Sequence, residues 1–184
     1  MADHPQKLVF TIGHSTRTED ELLALLVEAG VRSVADVRTF PSSRRYPQFN
    51  WGALARWLPE AGIGYVRLPQ LGGRRAPIAG SPNGGWSDPG FRGYADHMSS
   101  GEFAAGLGRL EELACERPTA IMCAEAVWWR CHRRLIADAL TVRGWRVEHL
   151  GVGVSSAIHE LTAFAVVAHG TELSYPQSET SLSA

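Results

Sequence analysis

Short apolar runs alternate with helix-like segments along most of this chain, and this alternation constrains its fold more than any other feature. Residues 8–12 (LVFTI) are apolar and largely β-branched or aromatic, which is typical of a buried strand. Four similar runs predict four more strands, at residues 33–37, 65–68, 119–123 and 145–150. Segments with apolar residues at helical spacing lie between them, at residues 18–30, 51–61, 91–98, 103–116 and 130–143. Strands separated by helices pair in parallel, so we predict a three-layer α/β sandwich with about five mostly parallel strands and helices on both faces.

The length of the chain indicates one domain. At 184 residues the chain can bury a single hydrophobic core and has too little left for a second. We therefore assign residues 1–170 to one α/β domain, with a last helix expected at residues 156–169. Residues 171–184 are rich in Ser, Thr and Glu and are expected to form a disordered tail. Residues 69–89 are rich in Gly and Pro, and a loop of this length in a compact domain is usually functional or mobile.

The composition excludes several classes of protein. Hydrophobic residues make up 45% of the chain and charged residues 20%, which is typical of a globular protein and excludes wholesale disorder. No apolar run approaches the roughly 18 residues of a membrane helix, so no membrane partner is expected. Residues 1–7 are polar, so no secretion signal is expected. The three cysteines, an odd and small number, argue against a disulfide framework and favour a reducing cytoplasm.

The charges are distributed unevenly. Residues 38–86 contain seven arginines and a single acid, although the whole chain has a formal net charge of −1. Both flanking parts carry more acids than bases. A basic segment inside an otherwise acidic chain indicates an anion-facing surface rather than a protein that coats nucleic acid. The alternative is that these arginines are simply solvated on loops.

The side chains capable of chemistry follow the predicted strands, where each strand ends. Ligands of open α/β sheets bind outside the carboxyl ends of the strands, so these residues are expected to meet at one edge. The candidate catalytic residues at this edge are His14, Glu125, Cys131 and His132. The candidate substrate-binding residues are Ser15, Asp36, Arg38, Ser43, Arg44 and Arg133. Asp36 and Arg38 share a face of an extended strand, so they either form a fixed pair or leave Arg38 pointing at an anion.

Cys131 is the candidate nucleophile because it lies at the predicted start of a helix. Unpaired backbone N–H groups at a helix N-terminus favour anions and lower the pKa of a thiol. His14, His132 or Glu125 would then serve as its proton partner. The alternative is a small buried residue with no chemical role, since free cysteine is among the most buried residue types.

No metal or cofactor site is predicted. Cys123, Cys131 and His132 together with His14 would make a set of two cysteines and two histidines. Their spacing matches none of the usual zinc-binding pairs, so zinc is not expected. No glycine-rich dinucleotide motif, phosphate-binding P-loop or nucleophile elbow is present.

Five ordered motifs of the chain resemble the family called domain of unknown function 488. They are Thr11–Ser15, Asp36–Arg38 with Pro41 and Ser43, Leu71–Gly73, Met122–Glu125, and Cys131–Arg133. The resemblance runs from about residue 11 to residue 150. It implies an α/β fold and a shared polar site at His14, Ser15, Asp36, Arg38, Cys123, Glu125, Cys131, His132 and Arg133. It implies no specific reaction, although some members of the family carry a loose label of DNA repair.

Together these features favour an enzyme that acts on a phosphate-bearing nucleotide or nucleic acid. Arg38, Arg44, Arg45 and Arg133 would hold the phosphate, and a histidine or Glu125 would move protons. A first alternative is a non-catalytic module that binds nucleic acid with the same basic edge. A second alternative is a thiol-based redox sensor that uses Cys123 and Cys131.

Overall fold

The computed structural model describes residues 7–153 and 156–177 and shows an α/β sandwich. A six-stranded sheet has the order β3-β2-β4-β1-β5-β6, and a separate two-stranded sheet joins β7 to β8. The strands are β1 (Leu8–Gly13), β2 (Ser33–Asp36), β3 (Gly64–Arg67), β4 (Thr119–Cys123), β5 (Arg146–His149), β6 (Ala157–Ile158), β7 (Val166–Ala168) and β8 (Glu172–Ser174). The helices are α1 (Glu19–Glu28), α2 (Trp51–Glu60), α3 (Pro89–His97), α4 (Gly101–Glu116) and α5 (Arg133–Val142).

The predicted fold class is confirmed, with one more strand in the main sheet than predicted. Strands β1 to β5 are the five predicted from sequence, and they pair with one another in parallel. The sixth strand, β6, adds at the edge and runs antiparallel to β5. It spans only two residues, which is too short for the period-two alternation that reveals a strand in a sequence.

Two hydrophobic cores lie on opposite faces of the sheet because successive strand residues point to opposite sides. On one face, Phe10 and Ile12 of β1 belong to a core that includes Leu22 and Leu26 of α1. On the other face, Val9 belongs to a core formed with residues of α3, α4 and α5. The helices therefore cover both faces, as predicted.

Helix α1 begins where the sequence predicts, at a capping box. The Thr18 hydroxyl accepts a hydrogen bond from the backbone N–H of Glu21 at 3.2 Å, and the Glu21 carboxylate accepts the backbone N–H of Thr18 at 2.7 Å. These two bonds satisfy backbone donors that the first turn of a helix leaves unpaired. The helix that starts here sets the direction in which the chain leaves the end of β1.

The prediction of a helix at residues 156–169 is wrong. This segment instead contains β6 and β7. The His159 ring bonds to the Asp138 carboxylate of α5 at 2.8 Å, and the backbone N–H of Thr162 donates to the same carboxylate at 2.9 Å. These tertiary bonds fix the segment against α5. The β-branched Val166 and Val167 then pair with β8 rather than forming a helical turn.

The predicted disordered tail needs a correction over its first part. Residues Glu172–Ser174 form β8, and Tyr175 is fully buried against the core beside α5. The hydroxyl of Tyr175 donates to Asp138, so this residue ties the chain back to the domain. Ordered structure thus continues past residue 171, and residues 178–184 lie outside the described part of the chain. Within the described ranges, no helix combines the length and the apolar character that a membrane crossing requires.

Candidate functional site

A cleft of about 350 Å³ lies at the carboxyl edge of the sheet. It opens beside β2 and β4, two neighbouring strands whose following helices, α2 and α5, pack on opposite faces of the sheet. Such a switch point is where open α/β sheets bind ligands. The cleft is lined by Arg38, Thr39, Phe40, Gly73, Arg74, Asp88, Gly90, Phe91, Cys123, Ala124, Glu125, Arg130, Cys131 and His132.

The ends of β1 and β4 approach each other closely, and Gly13 permits this approach. The backbone N–H of His14 donates to the Cys123 carbonyl, and that of Ser15 donates to the Ala124 carbonyl, both at 3.0 Å. A side chain on Gly13 would place its Cβ 1.7 Å from the carbonyl oxygen of Glu125. The glycine of the first motif is therefore required by the contact between these two strand ends.

Cys131 is the centre of the site. Its Sγ lies 2.8 Å from the Cys123 Sγ, and the Arg133 Nε–H donates to it at 3.4 Å. Burial alone would raise the pKa of Cys131, but the hydrogen bond from the Cys123 thiol and the Arg133 guanidinium outweigh burial and lower this pKa to about 6. The hydrogen bond to Cys131 and burial raise the pKa of Cys123 well above its usual value. These contacts therefore favour a thiolate on Cys131 and a thiol on Cys123.

His132 presents a lone pair to the Cys131 sulfur. Its Nε2 lies 3.0 Å from the carbonyl oxygen of Val37, so Nε2 carries the hydrogen of the neutral ring. The other nitrogen, Nδ1, lies 3.5 Å from the Cys131 Sγ. Burial lowers the pKa of His132, which keeps the ring neutral. A Cβ on Gly73 would lie 2.3 Å from Nδ1. The glycine at the end of the Leu71–Gly73 motif therefore lets the backbone pack directly against this ring.

Asp36 and Arg38 form a fixed buried pair, which settles the two possibilities left open by their spacing. The Arg38 Nε and Nη2 donate to the two carboxylate oxygens of Asp36 at 2.8 and 2.6 Å. The hydroxyl of Tyr65 donates to the same carboxylate at 2.7 Å. Arg38 also contributes to the lining of the cleft, although its guanidinium nitrogens are held by Asp36, His14 and the Phe49 carbonyl.

His14 lies behind this pair and has no free nitrogen. Its Nδ1 is 3.1 Å from the Ser15 carbonyl oxygen, and its Nε2 is 3.1 Å from the Arg38 Nη1. Arginine only donates, so Nε2 is the acceptor and the ring is neutral. Burial and the neighbouring Arg38 lower the pKa of His14 to about 4. His14 therefore positions Arg38 in this arrangement and does not face Cys131 as a proton partner.

Glu125 is exposed and lines the cleft. Its backbone N–H lies 3.3 Å from the Cys123 Sγ, so the residue is held next to the thiol pair. Among the described residues its carboxylate forms no ion pair within 4.0 Å. A carboxylate in this position is available to a ligand or to a proton.

Five of the six predicted substrate-binding residues do not line the cleft, and the first of them is Asp36, the buried partner of Arg38. Ser15 adopts a left-handed backbone conformation (φ 48°) and turns the chain toward α1. The Ser43 hydroxyl accepts the backbone N–H of Tyr46, which stabilises a loop. Arg44 is exposed outside the cleft lining. Arg133 is only 1% exposed and lies behind Cys131, where its donors meet protein acceptors.

Two exposed arginines that the sequence analysis did not select do line the cleft, namely Arg74 and Arg130. Arg74 comes from the long loop after β3, and its guanidinium lies 5.6 Å from the ring centroid of Phe40. Phe40 is 68% exposed and also lines the cleft. The Gly- and Pro-rich composition of residues 69–89 was the signal that pointed to this loop, but it could not select one arginine within it.

The thiol pair and His132 could also contact a metal. The Cys123 Sγ, the Cys131 Sγ and a His132 ring nitrogen lie within 4.8 Å of one another, and sulfur with imidazole suits zinc or copper. The Arg133 guanidinium, however, donates to the Cys131 Sγ, so a fixed positive charge already lies beside the sulfur atoms. This charge would repel a cation and stabilises a thiolate instead.

The comparisons with known proteins gave one match. A family model described as Domain of unknown function DUF488 matches residues 18–140, about two thirds of the chain. This range contains all the residues that line the cleft. Comparisons with curated proteins and with solved structures found no match.

Proposed function

The chain belongs to the DUF488 family, and from the geometry of its cleft we propose that it is an enzyme that uses Cys131 as a thiolate nucleophile on a phosphate-bearing nucleotide. One observation carries this proposal. The Cys131 Sγ borders the cleft and is contacted by the Cys123 thiol, the Arg133 guanidinium and the His132 Nδ1. A nucleophile beside a proton acceptor and a charged donor is the arrangement that covalent catalysis requires.

In the protonated form of Cys131, the thiol proton has a defined acceptor. The His132 Nδ1 faces the sulfur with its lone pair, because Nε2 already donates to the Val37 carbonyl. In the proposed step, the sulfur supplies the electron pair of the new bond to the substrate, and the leaving group departs with the electron pair of the broken bond. Where Cys131 starts as a thiol, the proton taken up by His132 passes to the leaving group; where it starts as a thiolate, the leaving group takes its proton from water, so charge and atoms balance.

The cleft offers two kinds of contact that suit a nucleotide. Arg74 and Arg130 bring positive charge to its lining, and arginine forks match phosphate oxygens. Phe40 and Phe91 bring aromatic faces on which a base can stack. A volume of about 350 Å³ lies within the range of small-molecule sites. Glu125, which also lines the cleft, provides a second group for proton transfer.

Alkylation of Cys131 is expected to reach half of its maximal rate near pH 6. Below that pH the sulfur is protonated and reacts slowly, whereas above it the thiolate predominates. The measurement uses iodoacetamide and intact-mass spectrometry over a range of pH, in a Cys115→Ser background that removes the exposed thiol. A half-maximal rate near the ordinary thiol pKa of about 8.5 would contradict the proposed nucleophile.

The same assay tests the substrate class. A saturating nucleoside mono- or triphosphate is expected to slow alkylation of Cys131 at least about tenfold, because it occupies the cleft. Arg130→Ala should raise the nucleotide concentration needed for protection by about tenfold, the effect of one lost charged hydrogen bond. The control is Arg109→Ala, an arginine 60% exposed on α4 and remote from the cleft lining. Protection by oligonucleotides alone, weakening steeply with salt, would favour the nucleic-acid-binding alternative.

One observation favours a second candidate function, a thiol-based redox sensor. The Sγ atoms of Cys123 and Cys131 are 2.8 Å apart, so a disulfide needs little movement. With hydrogen peroxide, the Cys131 thiolate would form a sulfenic acid and release hydroxide. The Cys123 thiol would then displace water and close the disulfide. Peroxide is expected to remove two hydrogens from the mass of the Cys115→Ser protein, and Cys123→Ala should abolish this change while leaving nucleotide protection of Cys131 in place.

A further inference from the structure

A buried chain of hydrogen bonds runs from the thiol site to Asp138 on α5. Thr11 Oγ1 lies 2.7 Å from His149 Nδ1, and His149 Nε2 lies 3.0 Å from His159 Nδ1. His159 Nε2 lies 2.8 Å from the Asp138 carboxylate. At the other end, Arg133 Nη1 lies 3.4 Å from Thr11 Oγ1. All five residues are buried, and neither the proposed nucleophile nor the cleft explains why two histidines lie here.

The partners at both ends are compatible with one direction of donation along the chain. The Asp138 carboxylate only accepts, so His159 Nε2 is the donor, and in this arrangement its Nδ1 accepts from His149 Nε2. His149 Nδ1 is then an acceptor and takes the hydroxyl hydrogen of Thr11. Arginine only donates, so the Thr11 oxygen accepts from Arg133. Each hydrogen along the chain has an acceptor in this arrangement.

The surroundings of His149 are apolar and closely packed. Burial, together with His159 and Arg133, lowers the pKa of His149 to about 3. The indole of Trp128 stacks on the His149 ring with 4.1 Å between centroids and 6° between planes. It also meets the edge of His159 at 5.3 Å. Trp128 thus covers the chain, whereas its neighbour Trp129 is 42% exposed, so the two adjacent tryptophans have different roles.

We propose that this buried chain is a positioning relay, in which Asp138, His159, His149 and Thr11 hold the Arg133 guanidinium against the Cys131 sulfur. Arg133 is 1% exposed, and a buried charge needs a partner of opposite charge or aligned dipoles. Asp138 provides the negative charge, and the aligned hydrogen bonds carry its influence to Thr11. The inference rests on the proposed function, because it assigns the relay to the Cys131 thiolate.

The contacts of Arg133 explain how this hydrogen-bond chain can affect the Cys131 sulfur. The Arg133 guanidinium is held at three points: Nη2 donates to the Glu125 carbonyl, Nη1 to Thr11, and Nε to Cys131. Without the Thr11 contact, Nη1 faces no acceptor and the guanidinium is free to turn away from the sulfur. Titratable or charged groups that face the sulfur come from three elements: Cys123 from β4, His132 and Arg133 from the start of α5, and Tyr94 from α3.

The test is the pH profile of Cys131 alkylation in the Cys115→Ser protein, because a merely structural role would lower the melting temperature and leave this profile in place. Thr11→Val removes the hydroxyl and is expected to raise the midpoint by about one pH unit. At the original midpoint the alkylation rate should then fall about fivefold, in line with the smaller thiolate fraction. Thr11→Ser keeps a hydroxyl and should restore the midpoint.

A second variant and a matched control keep the test decisive if Thr11→Val folds poorly. Asp138→Asn removes the charge at the far end and should move the midpoint in the same direction. Tyr175→Phe removes a different donor to Asp138, outside the relay, and should leave the midpoint unchanged. An unchanged midpoint in both Thr11→Val and Asp138→Asn overturns the relay while the proposed function stands. A midpoint near 8.5 in the parent protein overturns the proposed function itself.

Discussion

Replacing Asp36 with alanine is expected to lower the free energy of unfolding by about 3–5 kcal/mol, the usual effect of leaving one buried charge without its partner. The Asp36 side chain is fully buried and that of Arg38 is 8% exposed. The substitution removes the acceptor of two guanidinium bonds and of the Tyr65 hydroxyl. Urea unfolding should show a lower midpoint with an unchanged slope.

The matched control for this prediction is an exposed ion pair of the same type. Arg109 and Glu112 pair at 3.0 Å on the surface of α4, with side chains 60% and 65% exposed. Glu112→Ala should change the free energy of unfolding by no more than about 0.5 kcal/mol, because water solvates both groups. If Asp36→Ala changes stability as little as Glu112→Ala, the buried pair does not hold the end of β2 in the way described.

Replacing Gly13 with alanine is expected to destabilise the protein by at least about 3 kcal/mol, at the upper end of the cost of overpacking. The new Cβ would lie 1.7 Å from the Glu125 carbonyl oxygen, which is a backbone atom and cannot rotate away. Relief requires β1 and the segment after β4 to separate. That separation would also break the contact of Arg133 with the Glu125 carbonyl and disturb Cys131.

Gly108→Ala is the control for Gly13→Ala. Gly108 lies inside α4, and a Cβ there meets nothing within 4 Å. Alanine should stabilise this helix by about 0.5–1 kcal/mol, because glycine loses more backbone entropy on folding. Thermal unfolding followed by circular dichroism measures both variants. A Gly13→Ala protein as stable as the parent would show that the two strand ends do not approach so closely.

The parts of the fold that could be predicted are those with a strong local pattern. Residues 119–123 and 8–12 are apolar and lie in central strands, so burial on both faces shows directly in their composition. Residues 156–169 also contain apolar residues at helical spacing, but the bonds of His159 and Thr162 to Asp138 determine their conformation. Those partners are 21 and 24 residues away in sequence, where local periodicity holds no information.

The sequence predicted where the candidate site lies, but it predicted only some of the residues that form it. Cys131, His132 and Glu125 follow a strand end, and the structure brings all three to the cleft. His14 follows a strand end as well, yet its two nitrogens already bond to Ser15 and Arg38. A residue's position along the chain does not show which of its atoms are already occupied, so the sequence could not separate His14 from His132.

The sequence by itself determined the layers of this protein, because strand and helix periodicities depend on residues that are neighbours in the chain. It also determined which strand ends carry polar groups. Only the tertiary structure decided which of these groups interact. Arg133 was predicted to bind phosphate, but its side chain is buried and contacts Cys131. Thr11 lies against His149, which is 138 residues away in the chain. The reason is physical: a buried polar group must find a partner, and the folded chain, rather than the local sequence, supplies it.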